Sequence, residues 1–158
     1  MSPANTRIKV YFFRDAQKIY GEAGLTPATQ DAAGLDLRAC LTQEENLEIP
    51  PGKRRSVPSG IAVEPLDKGV AGFVYSRSGL GAVKGITVAQ GVGVIDPDYR
   101  GEISVFLLNT GHDTYTVRKG ERIAQLIFQP ILRPLAQIVD ELEKTKRGAG
   151  GFGHTGSD

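Results

Sequence analysis

Short stretches in which apolar and polar residues alternate, broken by glycine, proline and polar clusters, run along most of the chain and predict strands in place of helices. Residues 8–13 form an apolar, aromatic and β-branched run that stops at Arg14-Asp15, a first strand. Residues 15–32 have no clear period. From Gly34 the order Gly-Leu-Asp-Leu-Arg-Ala alternates, so Leu35, Leu37 and Ala39 share one face while Asp36 and Arg38 share the other. A carboxylate therefore stands on a strand. Pro50-Pro51-Gly52-Lys53 and Pro58-Ser59-Gly60 are turn signals around short extended pieces, and the strand that opens at Gly60 closes at Pro65. The run 70–75 looks buried and gives way to Ser76-Arg77-Ser78-Gly79-Leu80-Gly81, whose glycines end regular pairing. Ile86-Thr87-Val88-Ala89 and Val92-Gly93-Val94-Ile95 flank Gln90-Gly91 with the spacing of a tight hairpin, followed by the loop Asp96-Pro97-Asp98-Tyr99-Arg100-Gly101. Residues 102–109 and 121–128 alternate again, and in the second run Gln125 falls on the face of Ile123 and Ile127. Residues 137–146 suit either a helical turn or two or an edge strand. The final RGAGGFGHTGSD has too few apolar groups to fold on its own and is expected to be mobile.

The expected architecture is thus all-β with little helix, a single β domain over residues 1–146 followed by a flexible glycine-rich arm over residues 147–158. Glycine supports it, at 20 of 158 residues against a usual share of about 7%. Charge narrows the chemistry: 19 Lys plus Arg against 18 Asp plus Glu give no overall field for a nucleic-acid backbone or an anionic membrane, so neither is an expected partner. Any phosphate chemistry has to come from local clusters. Cys40 is alone, which excludes an intrachain disulfide and a cysteine-rich zinc site. Short apolar runs and an N-terminus without the regions of a signal peptide point to the cytoplasm.

Several residues offer chemistry, each beside a plainer reading. Gly148-Ala149-Gly150-Gly151-Phe152-Gly153 matches the dinucleotide fingerprint in form, but a Rossmann site needs a strand before the glycines and a helix after them. No Gly-Lys-Ser/Thr exists for an NTPase phosphate loop. The arm is either plain linker or a lid, with Phe152 stacking on a base, Arg147 and Thr155 meeting phosphates and glycine amides filling gaps. Asp96 is either a solvated turn carboxylate or a base that activates water beside Tyr99. Asp36 is either a surface carboxylate paired with Arg38 or a group that meets Mg²⁺ through water or orients an arginine. Gln125 interrupts an apolar face and needs a buried partner, for which a backbone carbonyl suffices. Arg77 and Ser78 offer a fork and a hydroxyl to a phosphate or to a loop salt bridge. His112 and Lys53-Arg54-Arg55 read as solvated surface.

The order of these groups is more specific than any one of them. Ala33-Gly34-Leu35-Asp36-Leu37, Arg77-Ser78-Gly79-Leu80, Gly93-Val94-Ile95-Asp96 through Tyr99-Arg100-Gly101, Arg122-Ile123-Ala124-Gln125-Leu126 and Arg147-Gly148-Ala149-Gly150-Gly151-Phe152-Gly153 resemble, in register, the five motifs of the homotrimeric dUTPases. The resemblance covers about residues 33–156. It implies a distorted jelly roll, three active sites between subunits, and hydrolysis of dUTP to dUMP and pyrophosphate, which keeps uracil out of DNA and supplies dUMP for dTMP synthesis. By the same resemblance Asp96 is the general base for water attacking the α-phosphorus, and Tyr99 packs under the deoxyribose. Gln90, Gly91 and Val94 belong to the hairpin that meets uracil. Arg77, Ser78 and Gln125 hold the phosphates, joined from the arm by Arg147 and Thr155, Phe152 stacks on uracil, and Gly79 and Gly153 also belong to the substrate-binding set. Mg²⁺ sits on the triphosphate oxygens and waters with Asp36 behind a water.

Two positions depart from the pattern. His154 replaces the usual serine, which removes a contact to the γ-phosphate unless the imidazole supplies it, and Gln90 stands where asparagine is common. Two other functions share the fold: a dCTP deaminase, for which Glu102 is the glutamate nearest the third motif, and a non-catalytic nucleotide-dependent binding protein.

Overall fold

The computed structural model describes residues 6–151, and within them eleven strands carry nearly all the regular structure. They are β1 (Ile8–Phe12), β2 (Leu35–Arg38), β3 (Asn46–Ile49), β4 (Arg54–Pro58), β5 (Ile61–Pro65), β6 (Val70–Tyr75), β7 (Ile86–Val88), β8 (Gly93–Ile95), β9 (Ser104–Asn109), β10 (Tyr115–Arg118) and β11 (Arg122–Pro130). Every pairing is antiparallel, in a four-stranded sheet β2-β11-β6-β8, a three-stranded sheet β4-β9-β7, and the pairs β1-β5 and β10-β3. Alternation along the strands places Leu37, Ile61, Ile86, Leu107, Val117 and Leu126 in one shared core, each at most 1% exposed.

The stretch 15–32 contains a five-residue helix, α1 (Ala16–Tyr20), too short to show a period in sequence. It buries Ala16 and Tyr20, and the Tyr20 hydroxyl donates to the Ser59 carbonyl at 2.9 Å while accepting from the Arg38 amide at 3.0 Å.

The expected hairpin at Gln90 is a turn between sheets. Gly91 N–H does bond to the Val88 carbonyl at 3.0 Å, yet β7 pairs with β9 and β8 pairs with β6. Both favoured two-residue hairpin turns need a positive φ at their first central residue, here Gln90, whereas the positive φ falls at Gly91 alone. The two strands splay and each finds another partner.

Three further details differ from the pattern read in sequence. A register shift between Arg122 and Ala124 in β11 sends both Ile123 and Ala124 into the core, so Gln125 shares its face with Ile127 alone. Strand β2 is covered on both sides, which puts Asp36 at 6% exposure and excludes the reading of a surface carboxylate paired with Arg38. The Arg38 guanidinium donates instead to the Gly120 carbonyl at 2.9 Å. Residues 137–146 are neither helix nor strand, and after Pro130 the chain runs irregular and exposed, with Leu132, Leu135 and Ile138 each at least 95% open to solvent.

Candidate active site

Register across the four-stranded sheet brings the first group of candidates together. Gln125 on β11 lies opposite Asp36 on β2 and, on its other side, opposite Tyr75 on β6, so Arg77 emerges just beyond the same end of the sheet. Asp36 is clamped there, Oδ1 accepting from Arg77 Nε at 3.1 Å and Oδ2 from Arg122 Nη1 at 3.2 Å. Arg77 also donates from Nη1 to the Arg122 carbonyl at 3.3 Å. Of the two sequence readings for Asp36 as a working group, orienting an arginine is the one this geometry realises. Arg122 also takes part, although sequence gives it no role beyond opening the motif that holds Gln125. Gln125 is half-buried over Gly34 and makes no side-chain hydrogen bond to the described residues, so the partner expected for it is not seen among them. Ser78 and Gly79 lie exposed at the start of a π-helical turn, Gly79–Val83, whose first amides fold back on the Arg77 carbonyl.

The second group surrounds a cavity of about 320 Å³ lined by Gln90, Val94, Asp96, Tyr99, Glu102 and Phe106, among others. Asp96 follows β8 directly and is exposed. The Gln90 side chain sits over Gly93, where an added Cβ would come 3.3 Å from Nε2 and 3.2 Å from Val74 Cβ. The Tyr99 ring folds back over Gly101, and its hydroxyl donates to the Glu102 carbonyl at 3.1 Å. The Glu102 carboxylate is tied down through one oxygen, which accepts from the Gly60 amide at 2.8 Å and from the Arg14 guanidinium. That hydrogen bond raises the Arg14 pKa further above its ordinary value. A glutamate so engaged is a structural group and a poor candidate for deamination chemistry.

The two groups are far apart within one chain. Ile95 pairs with Gly72, so Asp96 lies at the far end of β6 from Arg77, roughly 20 Å along the strand at ~3.3 Å per residue. Arg147 is exposed near the end of the described residues and donates to the Gly150 carbonyl at 2.9 Å. Phe152, Gly153, His154 and Thr155 lie outside the described residues.

No group of three His, Cys, Asp or Glu that would hold a metal exists among the described residues, and both Asp36 oxygens already have an arginine. An ion that keeps most of its water and takes its other ligands from phosphates needs no larger protein donor set than this.

A family model described as dUTPase matches residues 23–156. The chain belongs to the dUTPase family. Relatives named deoxyuridine 5′-triphosphate nucleotidohydrolase include one from Desulfitobacterium hafniense, 49% identical over 129 residues, covering 82% of this chain and 84% of that one. Another, from Citrobacter koseri, is 46% identical over 131 residues, covering 83% of this chain and 85% of its own. Among solved structures, the dUTPase from Streptococcus mutans is 28% identical with a TM-score of 0.67, over 80% of this chain and 98% of that one. A G164S mutant of the Staphylococcus bacteriophage 80alpha dUTPase with dUpNHpp has a TM-score of 0.79 at 23% identity, covering 95% of this chain and 98% of that one. This chain shares the jelly-roll-like β fold of these dUTPases. The dUTPase match begins after α1, so β1, Arg14 and the helix stand outside it.

Proposed function

We propose that the chain hydrolyses dUTP to dUMP and pyrophosphate as a homotrimer in the cytoplasm. The observation that carries this is the cavity in which Asp96, Tyr99 and the Gln90 turn face one another. The turn 90–94 meets the uracil edge with main-chain groups, and its closeness excludes a thymine methyl. The Tyr99 ring packs under the deoxyribose and leaves no room for a 2′-hydroxyl. Asp96 takes a proton from a water whose oxygen bonds to the α-phosphorus; the bridging α–β P–O bond breaks and its electron pair leaves with pyrophosphate. Arg77, Ser78, Gly79 and Gln125 hold the phosphates, with Arg77 aimed by Asp36. The arm 147–158 closes the site, Arg147 and Thr155 on phosphates, Phe152 and Gly153 at the base and His154 in the usual serine position. A magnesium ion on the triphosphate oxygens, with Asp36 behind a water, would neutralise charge on the leaving pyrophosphate.

Two features support a site completed between copies. Asp96 and Arg77 of one chain are too far apart to meet one triphosphate. Leu132, Leu135, Ile138 and Leu142, each more than 80% exposed in the single chain, form the kind of apolar segment that a neighbouring copy covers, which would bring residues 131–146 into the body of the domain.

The test is an assay of the purified protein with magnesium and dUTP, UTP, dTTP or dCTP, following pyrophosphate and ammonia. Pyrophosphate from dUTP, with preference over UTP and dTTP of well over tenfold in kcat/KM, is expected. An Asp96→Asn variant should lose at least ~100-fold in kcat while still binding dUTP. Ammonia from dCTP, or dUTP binding without turnover, would replace this reading with the deaminase or the binding protein.

A further inference from the structure

Three separate segments meet at the Glu102 carboxylate. Just after β1, the Phe13 amide donates to the Gly60 carbonyl at 2.8 Å; the Gly60 amide donates to Glu102 at 2.8 Å; and Arg14 pairs with the same Glu102 oxygen. Arg14 does so from a φ of +52°, the one left-handed non-glycine residue among those described. An L side chain adopts that region at a cost, so the surrounding contacts must hold it there. Gly60, at φ +73°, is equally constrained, since a Cβ would lie 2.8 Å from Cys40 Sγ. One residue further, Ile103 is riveted to the same corner by N–H to the Ile61 carbonyl at 2.9 Å and by two bonds from Ser59 to its own carbonyl.

Glu102 is also where Tyr99 is anchored. The phenol donates to the Glu102 carbonyl, and the ring lies so close over Gly101 that a Cβ there would be 2.5 Å from Cζ. The ring thus has one seat, made of main chain at positions 101 and 102, and the height of that seat in the cavity is set by what holds Glu102.

We infer that Arg14 and Glu102 form a brace that positions the Tyr99 ring, making the corner after β1 a determinant of sugar selectivity. The inference rests on the proposed role of Tyr99 and extends it to a residue outside the region matched to the dUTPase family. Arg14 stands outside the cavity lining and Glu102 is at its edge with one carboxylate oxygen tied to Arg14 and Gly60, so both act as positioning residues through the seat of the ring.

The experiment compares Arg14→Gly, Arg14→Lys, Glu102→Gln and Val117→Ala with the parent protein, measuring kcat/KM for dUTP and UTP and the thermal midpoint. Glycine accepts the left-handed φ without strain, so Arg14→Gly removes the brace while relieving the backbone. Val117, fully buried in β10, serves as the control for general loss of stability. The expected result is a fall of at least fivefold in the dUTP-to-UTP preference in Arg14→Gly and Glu102→Gln. It should come mainly through KM for dUTP, be partly restored in Arg14→Lys, and be absent in Val117→Ala. A preference unchanged in Arg14→Gly, or lowered no more than in Val117→Ala, overturns the brace. Absence of dUTP hydrolysis in the parent overturns the function itself and is distinguished by that measurement.

Discussion

A buried phenol shows how single groups hold the corner beneath the cavity. Tyr20 is 7% exposed, with its hydroxyl between the Ser59 carbonyl and the Arg38 amide. Burial pushes its pKa from the ordinary 10.0 up to about 12. A raised pKa means that the neutral ring is the form the fold favours. Its contribution is complete below pH 10 and is lost as pH climbs through about 12, a change of roughly 2–3 kcal/mol at 1.36 kcal/mol per unit. Tyr20→Phe removes the hydroxyl and leaves two buried backbone groups unpaired, at a cost of about 1–3 kcal/mol near neutrality. The expected outcome in urea titrations at pH 8 and pH ~11.5 is a gap between the two proteins that narrows at the alkaline pH. Parallel losses would show that the phenol titrates alike in the folded and unfolded states, so that burial does not raise its pKa.

Strands were legible in sequence where period two or a continuous apolar run meets turn residues, as in β9 and β6, and illegible where neither is clear. Strand β10 has only Tyr115 and Val117 to announce it, and α1 is a single turn or so. Pairing was harder to read than position, because it depends on residues distant in the chain. Asp36 stood out as a strand carboxylate, but its two arginines come from positions 41 and 86 residues away. Likewise Gln90-Gly91 has hairpin spacing, and the splaying was decided by the φ of Gln90 and by β6 and β9 as alternative partners. The bulge in β11 makes this testable at the level of one element. Leu126, fully buried, faces the core, and Leu126→Ala should cost about 2–5 kcal/mol in urea unfolding. Gln125→Ala, on the opposite face, should cost less than ~1 kcal/mol while raising KM for dUTP. Equal destabilisation by both would place Gln125 in the core and return the strand to a different register.

At the scale of the whole molecule, the separation of Asp96 from Arg77 becomes a statement about assembly. Asp96→Asn and Arg77→Ala, each inactive alone, are co-expressed in equal amounts under different tags, and oligomers carrying both tags are isolated. If one site draws Asp96 from one chain and Arg77 from its neighbour, each half is intact with probability one half. That is about one quarter of the sites across the unselected mixture, and about one site in three once double-tagged trimers are isolated. If both halves come from the same chain, every site carries one defect and the mixed oligomers stay as inactive as their components. The two variants mixed after folding, without subunit exchange, are the control, and they should remain silent in either case. The geometry favours recovery, because roughly 20 Å of strand β6 lies between the two residues and the triphosphate of one nucleotide does not bridge it. A silent double-tagged oligomer, shown by mass to contain both chains, would require the cavity and the arginine clamp to approach within one protomer, which the pairing of β6 with β8 forbids in this conformation.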